Sequence, residues 1–217
     1  MNKLYTEDRK NYIVYDIQIS SRNKAPYIIF IHGLMSSMES SKAISIGKYC
    51  KSKDYNYIRF SNYGSTPSSG KFTDQTITSW TAGIELVLNE LCKNKEVILI
   101  GSSAGAWIGL LATLRNPSKI QGLITISAAT DFTDKLIFDS LEENQKKELT
   151  TNGLTYVKGQ ASGCDYTYPI SHALIEDGRK NLLLTRDKID ISCPVHLIHG
   201  MNDIDVPYSL TMETAAK

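Results

Sequence analysis

The short segment Gly-Ser-Ser-Ala-Gly at residues 101–105 could carry nucleophilic chemistry. It fits the pattern G-x-S-x-G, in which the central serine occupies a strained turn between a strand and a helix. The apolar residues 97–100 precede it, and the small and apolar run 104–114 follows. A serine held in this way can attack an electrophilic carbon of a substrate and form a covalent intermediate. We therefore predict that Ser103 is a nucleophile; the alternative is an ordinary turn rich in glycine and serine.

Such a serine also needs hydrogen-bond donors aimed at the oxyanion that develops during attack. The backbone amide that follows the nucleophile belongs to Ala104. We expect the second donor in the loop that begins with His32 and Gly33, and we predict that it is the amide of Leu34. Because backbone groups would carry this chemistry, the His32 side chain is interpreted as one that orders the loop.

A catalytic acid is expected after the last predicted strand, because hydrolases with this serine turn present nucleophile, acid and histidine in that order. Asp203 is the predicted acid and Asp205 is the alternative. No histidine follows Asp203 in the printed sequence. The expected catalytic base is therefore not found.

The other histidines are poor substitutes for this base. His172 lies in a polar region, His196 lies inside a predicted strand, and His199 lies at the end of that strand. His172 is the best of the three, and none of them is assigned as the base. An unassisted serine hydroxyl is a weak nucleophile at neutral pH, so strong turnover is not expected.

Short apolar runs alternate with longer stretches of helical periodicity, which indicates parallel βαβ units. The predicted strands are residues 27–31, 55–60, 96–100, 122–126 and 194–198, with an earlier pair, 4–6 and 12–19, at one edge. The predicted helices are 41–51, 76–92 and 104–114. Continuous apolar runs are typical of strands buried on both faces. The sequence predicts an α/β fold, with a mostly parallel sheet and helices on both faces.

Residues 130–190 interrupt this alternation. They contain a charged helix predicted at 139–149 and a tyrosine-rich polar stretch at 156–168. Insertions at such a point commonly form lids and substrate pockets. We predict one domain over residues 1–217, with 130–190 as a lid or cap, and a final helix begun by Pro207.

Composition excludes several classes of protein. A net charge of +1 with scattered lysines gives no electrostatic footprint for nucleic acid. The charged N-terminus does not resemble a signal peptide, and no apolar run approaches the roughly 20 residues that span a bilayer. The 4 cysteines are spaced too widely for a zinc site or a disulfide framework. We expect reduced cysteines, a cytoplasmic location and no metal.

The serine motif, extended to 101–107, is accompanied by further segments: residues 32–38 with 42–43, residues 70–72 with 76–77 and Trp80, and residues 128–132, 175–179 and 194–207. Together they resemble the α/β-hydrolase branch that contains the mitochondrial palmitoyl-protein thioesterase, an enzyme that also cleaves mycophenolic acid acyl-glucuronide, and its alphaproteobacterial relatives. The resemblance implies the α/β-hydrolase fold, Ser103 as nucleophile and Asp203 as acid. It also implies a small ester or thioester substrate held under the insertion, and no metal or organic cofactor.

The chain departs from that family at several positions. Residues 60–67 lack the aspartate and histidine expected after the second interior strand, Gly83 stands in place of a frequent aspartate, and Ala106 stands in place of a glycine. The resemblance also implies a further strand, a histidine-bearing loop and a closing helix after Asp203. We therefore expect a C-terminal truncation that leaves the strand at 195–198 as an open sheet edge, available for self-association.

Three hypotheses about function remain open on the sequence. The first is a serine esterase or thioesterase that works through an acyl-enzyme at Ser103. The second is a catalytically incompetent remnant or binding scaffold with the same fold, which the missing histidine favours. The third keeps the serine site but takes its histidine from a partner chain or a separately encoded fragment.

Overall fold

The computed structural model describes residues 1–22, 25–159 and 167–217. Two sheets are present in these ranges, built from strands β1 to β9: Asn2–Tyr5, Tyr12–Gln18, Tyr27–Ile31, Asn56–Ser61, Val97–Ser102, Ile120–Ile126, Leu154–Lys158, Thr167–Ser171 and Val195–Ile198. The larger sheet has the order β1-β2-β4-β3-β5-β6-β9, and β7 pairs with β8. All the strands predicted from apolar runs are confirmed within a few residues.

Five neighbouring strands of the larger sheet run parallel, from β4 through β3, β5 and β6 to β9. The hairpin of β1 and β2 adds two antiparallel strands at one edge. This arrangement brings the carboxyl ends of the parallel strands to one side of the sheet. Loops that follow those strands therefore meet along a single edge, where α/β proteins bind their ligands.

The helices α1 to α6 cover Ser41–Ser52, Ile77–Leu91, Ala104–Arg115, Glu143–Asn152, His172–Lys180 and Tyr208–Ala215. Side chains alternate across the sheet, so Ile29 joins the larger buried cluster, with α2 and α3, while Phe30 joins a smaller cluster with α1. Helices therefore lie on both faces, as predicted.

The region between β6 and β9 differs in detail from the prediction. The helix expected at 139–149 begins only at Glu143, because Leu141 is extended and Glu142 caps the helix through a reciprocal bond with Gln145. The tyrosine-rich stretch noted at 156–168 overlaps β7 and β8, which were not predicted and which form their own antiparallel sheet. Helix α5 was not predicted. Cys164 and the rest of 160–166 lie outside the described residues.

The C-terminal part of the chain forms the other edge of the larger sheet. Strand β9 pairs with β6 and is the last strand of the sheet within the described ranges. Ile198 on this strand is 55% exposed. Pro207 is the N-cap of α6 and not its first residue. In the part of the chain that the structure describes, no helix is long and apolar enough to cross a membrane.

Candidate active site

Ser103 occupies the turn between β5 and α3, with φ 55° and ψ −122°. A positive φ is unfavourable for a residue with a Cβ, so this conformation persists only where the surroundings enforce it. The Ser103 amide donates to the Ile126 carbonyl at 2.9 Å, and its own carbonyl accepts from Ala106 at 2.9 Å. The geometry is that of a serine raised at the carboxyl edge of the sheet.

Two glycines make this tight turn possible. A Cβ on Gly105 would overlap the carbonyl oxygen of Ile31, and a Cβ on Gly101 would overlap the carbonyl oxygen of Gly105. Both contacts are to backbone, which has little freedom to move aside. The pattern G-x-S-x-G is therefore required here by close packing of α3 against β3 and β5.

The loop after β3 packs directly against the serine. The position that a Cβ on Gly33 would take lies 3.1 Å from Cβ of Ser103 and 3.6 Å from its Oγ. The amides of Leu34 and Ala104 make no hydrogen bond to any residue that the structure describes. Two free N–H groups beside a serine are what an oxyanion hole requires.

His32 is buried behind this loop and has an ordering role, as the sequence predicted. Its Nε2 accepts from the Asn62 amide at 3.0 Å, and its Nδ1 lies 2.8 Å from the Gly33 carbonyl oxygen. Burial lowers the pKa of His32, although the hydrogen bond to Gly33 acts in the opposite direction. The ring is therefore neutral at physiological pH.

Asp203 lies in the loop after β9. Its Oδ1 accepts from the amides of Asp205 and Val206, each at 3.0 Å. Partial burial raises the pKa of Asp203, but hydrogen bonds from the Ser127 hydroxyl and these two amides outweigh it, so the pKa lies below 3.8. The group is a carboxylate at neutral pH, as an acid that stabilises an imidazolium must be.

The alternative acid, Asp205, is placed differently. Asp205 lines the same cavity as Ser103, and Asp203 does not. Because an acid of this kind contacts the histidine and not the substrate, absence from the cavity wall does not count against Asp203. Sequence reasoning missed Ser127, which bonds to Asp203 and has φ 51° at the end of β6. Ser127 directly follows a predicted parallel strand, and this position at the carboxyl edge of the sheet is the sequence feature that could have indicated it.

None of the four histidines is hydrogen-bonded to Ser103 within the described ranges. His172 begins α5, with its Nε2 4.0 Å from Oε1 of Glu176. His196 is exposed on β9. His199 is engaged at both ring nitrogens. The structure therefore brings Ser103, Leu34 and Ala104 together, and no histidine among the described residues is hydrogen-bonded to Ser103.

A cavity of about 200 Å³ opens above Ser103. Its walls come from the oxyanion loop, from the region after β6 and from the hairpin of β7 and β8: Leu34, Met35, Ala129, Phe132, Leu136, Ile137, Lys158, Gly159, Tyr168 and Val206. A neighbouring cavity of about 400 Å³ shares four of these residues: Leu136, Ile137, Lys158 and Tyr168. Lys158 and Tyr168 belong to the tyrosine-rich stretch 156–168 of the predicted lid, and neither residue was predicted individually to line the cavity.

A family model described as alpha/beta hydrolase fold matches residues 26–174. The chain belongs to the alpha/beta hydrolase fold family. The mitochondrial palmitoyl-protein thioesterase ABHD10 of Bos taurus is 32% identical over 196 residues, which are 89% of this chain and 62% of the bovine protein. This α/β hydrolase therefore spans less than two thirds of the length of the curated relative.

Solved structures agree with that assignment. The alpha/beta hydrolase domain-containing protein 10 from mouse has a TM-score of 0.86 at 29% identity, covering 99% of this α/β hydrolase and 82% of the mouse chain. A protein of Agrobacterium vitis S4 named as a hydrolase has a TM-score of 0.88 at 30% identity, covering 99% and 83%. The resemblance to the thioesterase branch is confirmed.

Proposed function

We propose that this α/β hydrolase cleaves carboxylic esters or thioesters through an acyl-enzyme at Ser103. In this proposal the amides of Leu34 and Ala104 stabilise the oxyanion, and Asp203 is the acid that orients a catalytic imidazole. The observation that carries the proposal is the backbone of Ser103, held at φ 55° between β5 and α3. The names of the thioesterase relatives support the same reaction class.

The substrate is proposed to lie under residues 130–190, which act as a lid or cap over a single domain. The cavity at Ser103 is lined by apolar side chains, which include Phe132, Leu136 and Ile137, and by polar groups, and the adjoining cavity continues toward α4. Small-molecule sites commonly combine apolar side chains with polar groups that fix the ligand's orientation. An acyl chain or an aromatic acid matches this lining.

Turnover of an activated short-chain thioester by the wild type and by Ser103→Ala tests the proposal. We expect hydrolysis above the Ser103→Ala background. Because no base lies at Ser103 in the described residues, we also expect added imidazole to raise the wild-type rate more than the Ser103→Ala rate. Equal rates for the two proteins, with and without imidazole, would exclude Ser103 as the nucleophile.

A second candidate function is a binding scaffold without turnover. Among the described residues no histidine is hydrogen-bonded to Ser103, and this favours the scaffold, because the hydroxyl then lacks a base to accept its proton. A folded wild type that is silent even with imidazole would support this candidate. Turnover restored by added imidazole would instead favour the third hypothesis, in which a partner chain or a separate fragment supplies the base.

A cytoplasmic location remains a proposal. Cys50, Cys92 and Cys193 are free thiols, as expected in a reducing compartment. The relatives are named as mitochondrial proteins, and a mitochondrial matrix would also keep thiols reduced. Fluorescence microscopy of the tagged protein in its own cells would distinguish these compartments.

A further inference from the structure

Two hydrogen bonds hold the ring of His32 between the loop after β3 and the end of β4. The Asn62 amide can only donate, so Nε2 of His32 must be an unprotonated acceptor in their 3.0 Å bond. The ring proton is therefore on Nδ1, which donates to the Gly33 carbonyl oxygen at 2.8 Å. The residue is 7% exposed. His32 is thus fixed in one neutral tautomer with both nitrogens occupied.

The carbonyl of Gly33 and the N–H of Leu34 belong to the same peptide unit. That unit is planar, and in its trans form the C=O and N–H bonds point in opposite directions. Holding the carbonyl oxygen therefore fixes the direction of the N–H. The Leu34 amide has no other partner among the described residues, so the bond from His32 is the direct constraint on its orientation.

Asn62 is itself firmly held. Its Oδ1 accepts from the Tyr63 amide at 3.0 Å, and its Nδ2 donates to the Trp80 carbonyl at 2.9 Å. A Cβ on Gly83 would overlap Oδ1 of Asn62. Because Gly83 has no side chain, the side-chain amide of Asn62 can occupy this space.

We infer that His32 and Asn62 are positioning residues for the proposed oxyanion hole, which act by fixing the orientation of the peptide unit between Gly33 and Leu34. The inference rests on the proposed function, because it concerns the rate at which Ser103 reacts. Both residues act through the backbone, so neither needs to touch the reacting atoms. Gly83 contributes by leaving space for Asn62.

Two substitutions at His32 distinguish the roles of its two ring nitrogens. His32→Asn places an amide nitrogen near the former Nδ1 and keeps a donor for Gly33, while His32→Gln places an amide oxygen near the former Nε2 and keeps an acceptor for Asn62. Each variant loses one buried hydrogen bond, so a merely structural role predicts similar losses from both. A positioning role predicts a larger disturbance of the Leu34 amide in His32→Gln, which loses the bond to Gly33 itself, than in His32→Asn, which loses the bond that steadies the ring.

The experiment follows the Leu34 amide by NMR and the phosphonylation of Ser103 by a fluorophosphonate in the same samples. We expect His32→Asn to react within about threefold of the wild-type rate. We expect His32→Gln to react at least about tenfold more slowly, since loss of an oxyanion donor costs about 100-fold or more in other enzymes. The Leu34 amide shift should move further in His32→Gln than in His32→Asn.

Gly83→Ala provides a second variant that leaves His32 unchanged, and Gly122→Ala is its control, because nothing lies closer than 3.8 Å to the added Cβ there. We expect Gly83→Ala to move the Leu34 amide and slow phosphonylation, and Gly122→Ala to do neither. Equal effects from both His32 variants, or an unmoved Leu34 amide in Gly83→Ala, would overturn the inference. If wild-type Ser103 does not react at all, the proposed function fails, and the amide shifts alone decide the inference.

Discussion

His199 lies beside Asp203, with 3.7 Å between its Nε2 and Oδ2 of the carboxylate. The ring nevertheless bonds elsewhere, because Nε2 lies 2.8 Å from the Val206 carbonyl and Nδ1 lies 2.6 Å from Oγ1 of Thr211. A carbonyl only accepts, so Nε2 carries a proton. His199 therefore joins the loop after β9 to α6 and has no free nitrogen for Ser103.

Replacement of His199 should consequently cost stability and not reactivity. We expect His199→Ala to lower the free energy of unfolding by about 1–3 kcal/mol, because two partly buried hydrogen bonds are lost. The exposed His196→Ala should change it by less than about 0.5 kcal/mol. Urea denaturation measures both. A folded His199→Ala that no longer reacts with a fluorophosphonate would instead identify His199 as the base.

Gly105, in the turn that holds Ser103, is not expected to tolerate any side chain. Gly105→Ala places a methyl group against the backbone carbonyl of Ile31, so we expect a loss of about 3 kcal/mol or more, at the upper end of overpacking costs. Gly122→Ala, also buried, meets nothing closer than 3.8 Å and should cost less than about 1 kcal/mol. Similar denaturation midpoints for the two variants would refute the packing argument.

Stability should also depend on pH through His32. Its folded-state pKa is lowered by burial from the ordinary value of 6.5. Below that value the unfolded chain binds a proton that the folded chain does not, so the free energy of unfolding falls as pH falls, by at most about 1.4 kcal/mol per pH unit. Above it the two states bind the same number of protons and the effect vanishes.

His32→Asn lacks this titration and provides the comparison. Between pH 7 and about pH 5.5 the wild type should lose more stability than His32→Asn, by an amount that follows the same linkage. Urea denaturation at both pH values gives the difference. Equal losses in the two proteins would show that His32 binds its proton equally well in the folded and unfolded states.

The sheet edge at β9 is the predicted site of self-association. Register pairs Ile126 with Ile198 and Ile124 with His196, so these residues share the face that also carries α1. Open edges with apolar side chains pair readily with other chains. We expect concentration-dependent association in sedimentation velocity, and a shift toward monomer in Ile198→Lys. A wild type that stays monomeric at all concentrations would contradict this expectation.

The sequence predicted the fold best where burial on both faces of the sheet determines the run of apolar residues. Strands β3, β5 and β6 are continuous apolar runs because both of their faces are covered, and the serine turn lies between two elements that are each unambiguous. The close contact between Gly33 and Ser103 could be expected once both loops were assigned to the carboxyl edge of one parallel sheet.

The region after β6 was less predictable for a physical reason. Strands β7 and β8 are half-exposed and are held mainly by pairing with each other, so their side chains carry no strong periodic signal. Helix α5 is short, with only one apolar stripe. The contribution of Lys158 to the cavity wall depends on how that hairpin folds back, which local sequence does not encode.

The site of fluorophosphonate attachment, mapped by mass spectrometry on the folded wild type, tests most directly whether Ser103 is the nucleophile. We expect one adduct, on Ser103, that is absent from Ser103→Ala and from the heat-denatured chain. The exposed Ser52→Ala should keep the adduct and serves as the matched control. An adduct on another serine, or labelling that survives in Ser103→Ala, would contradict the claim that the strained turn after β5 presents a nucleophile.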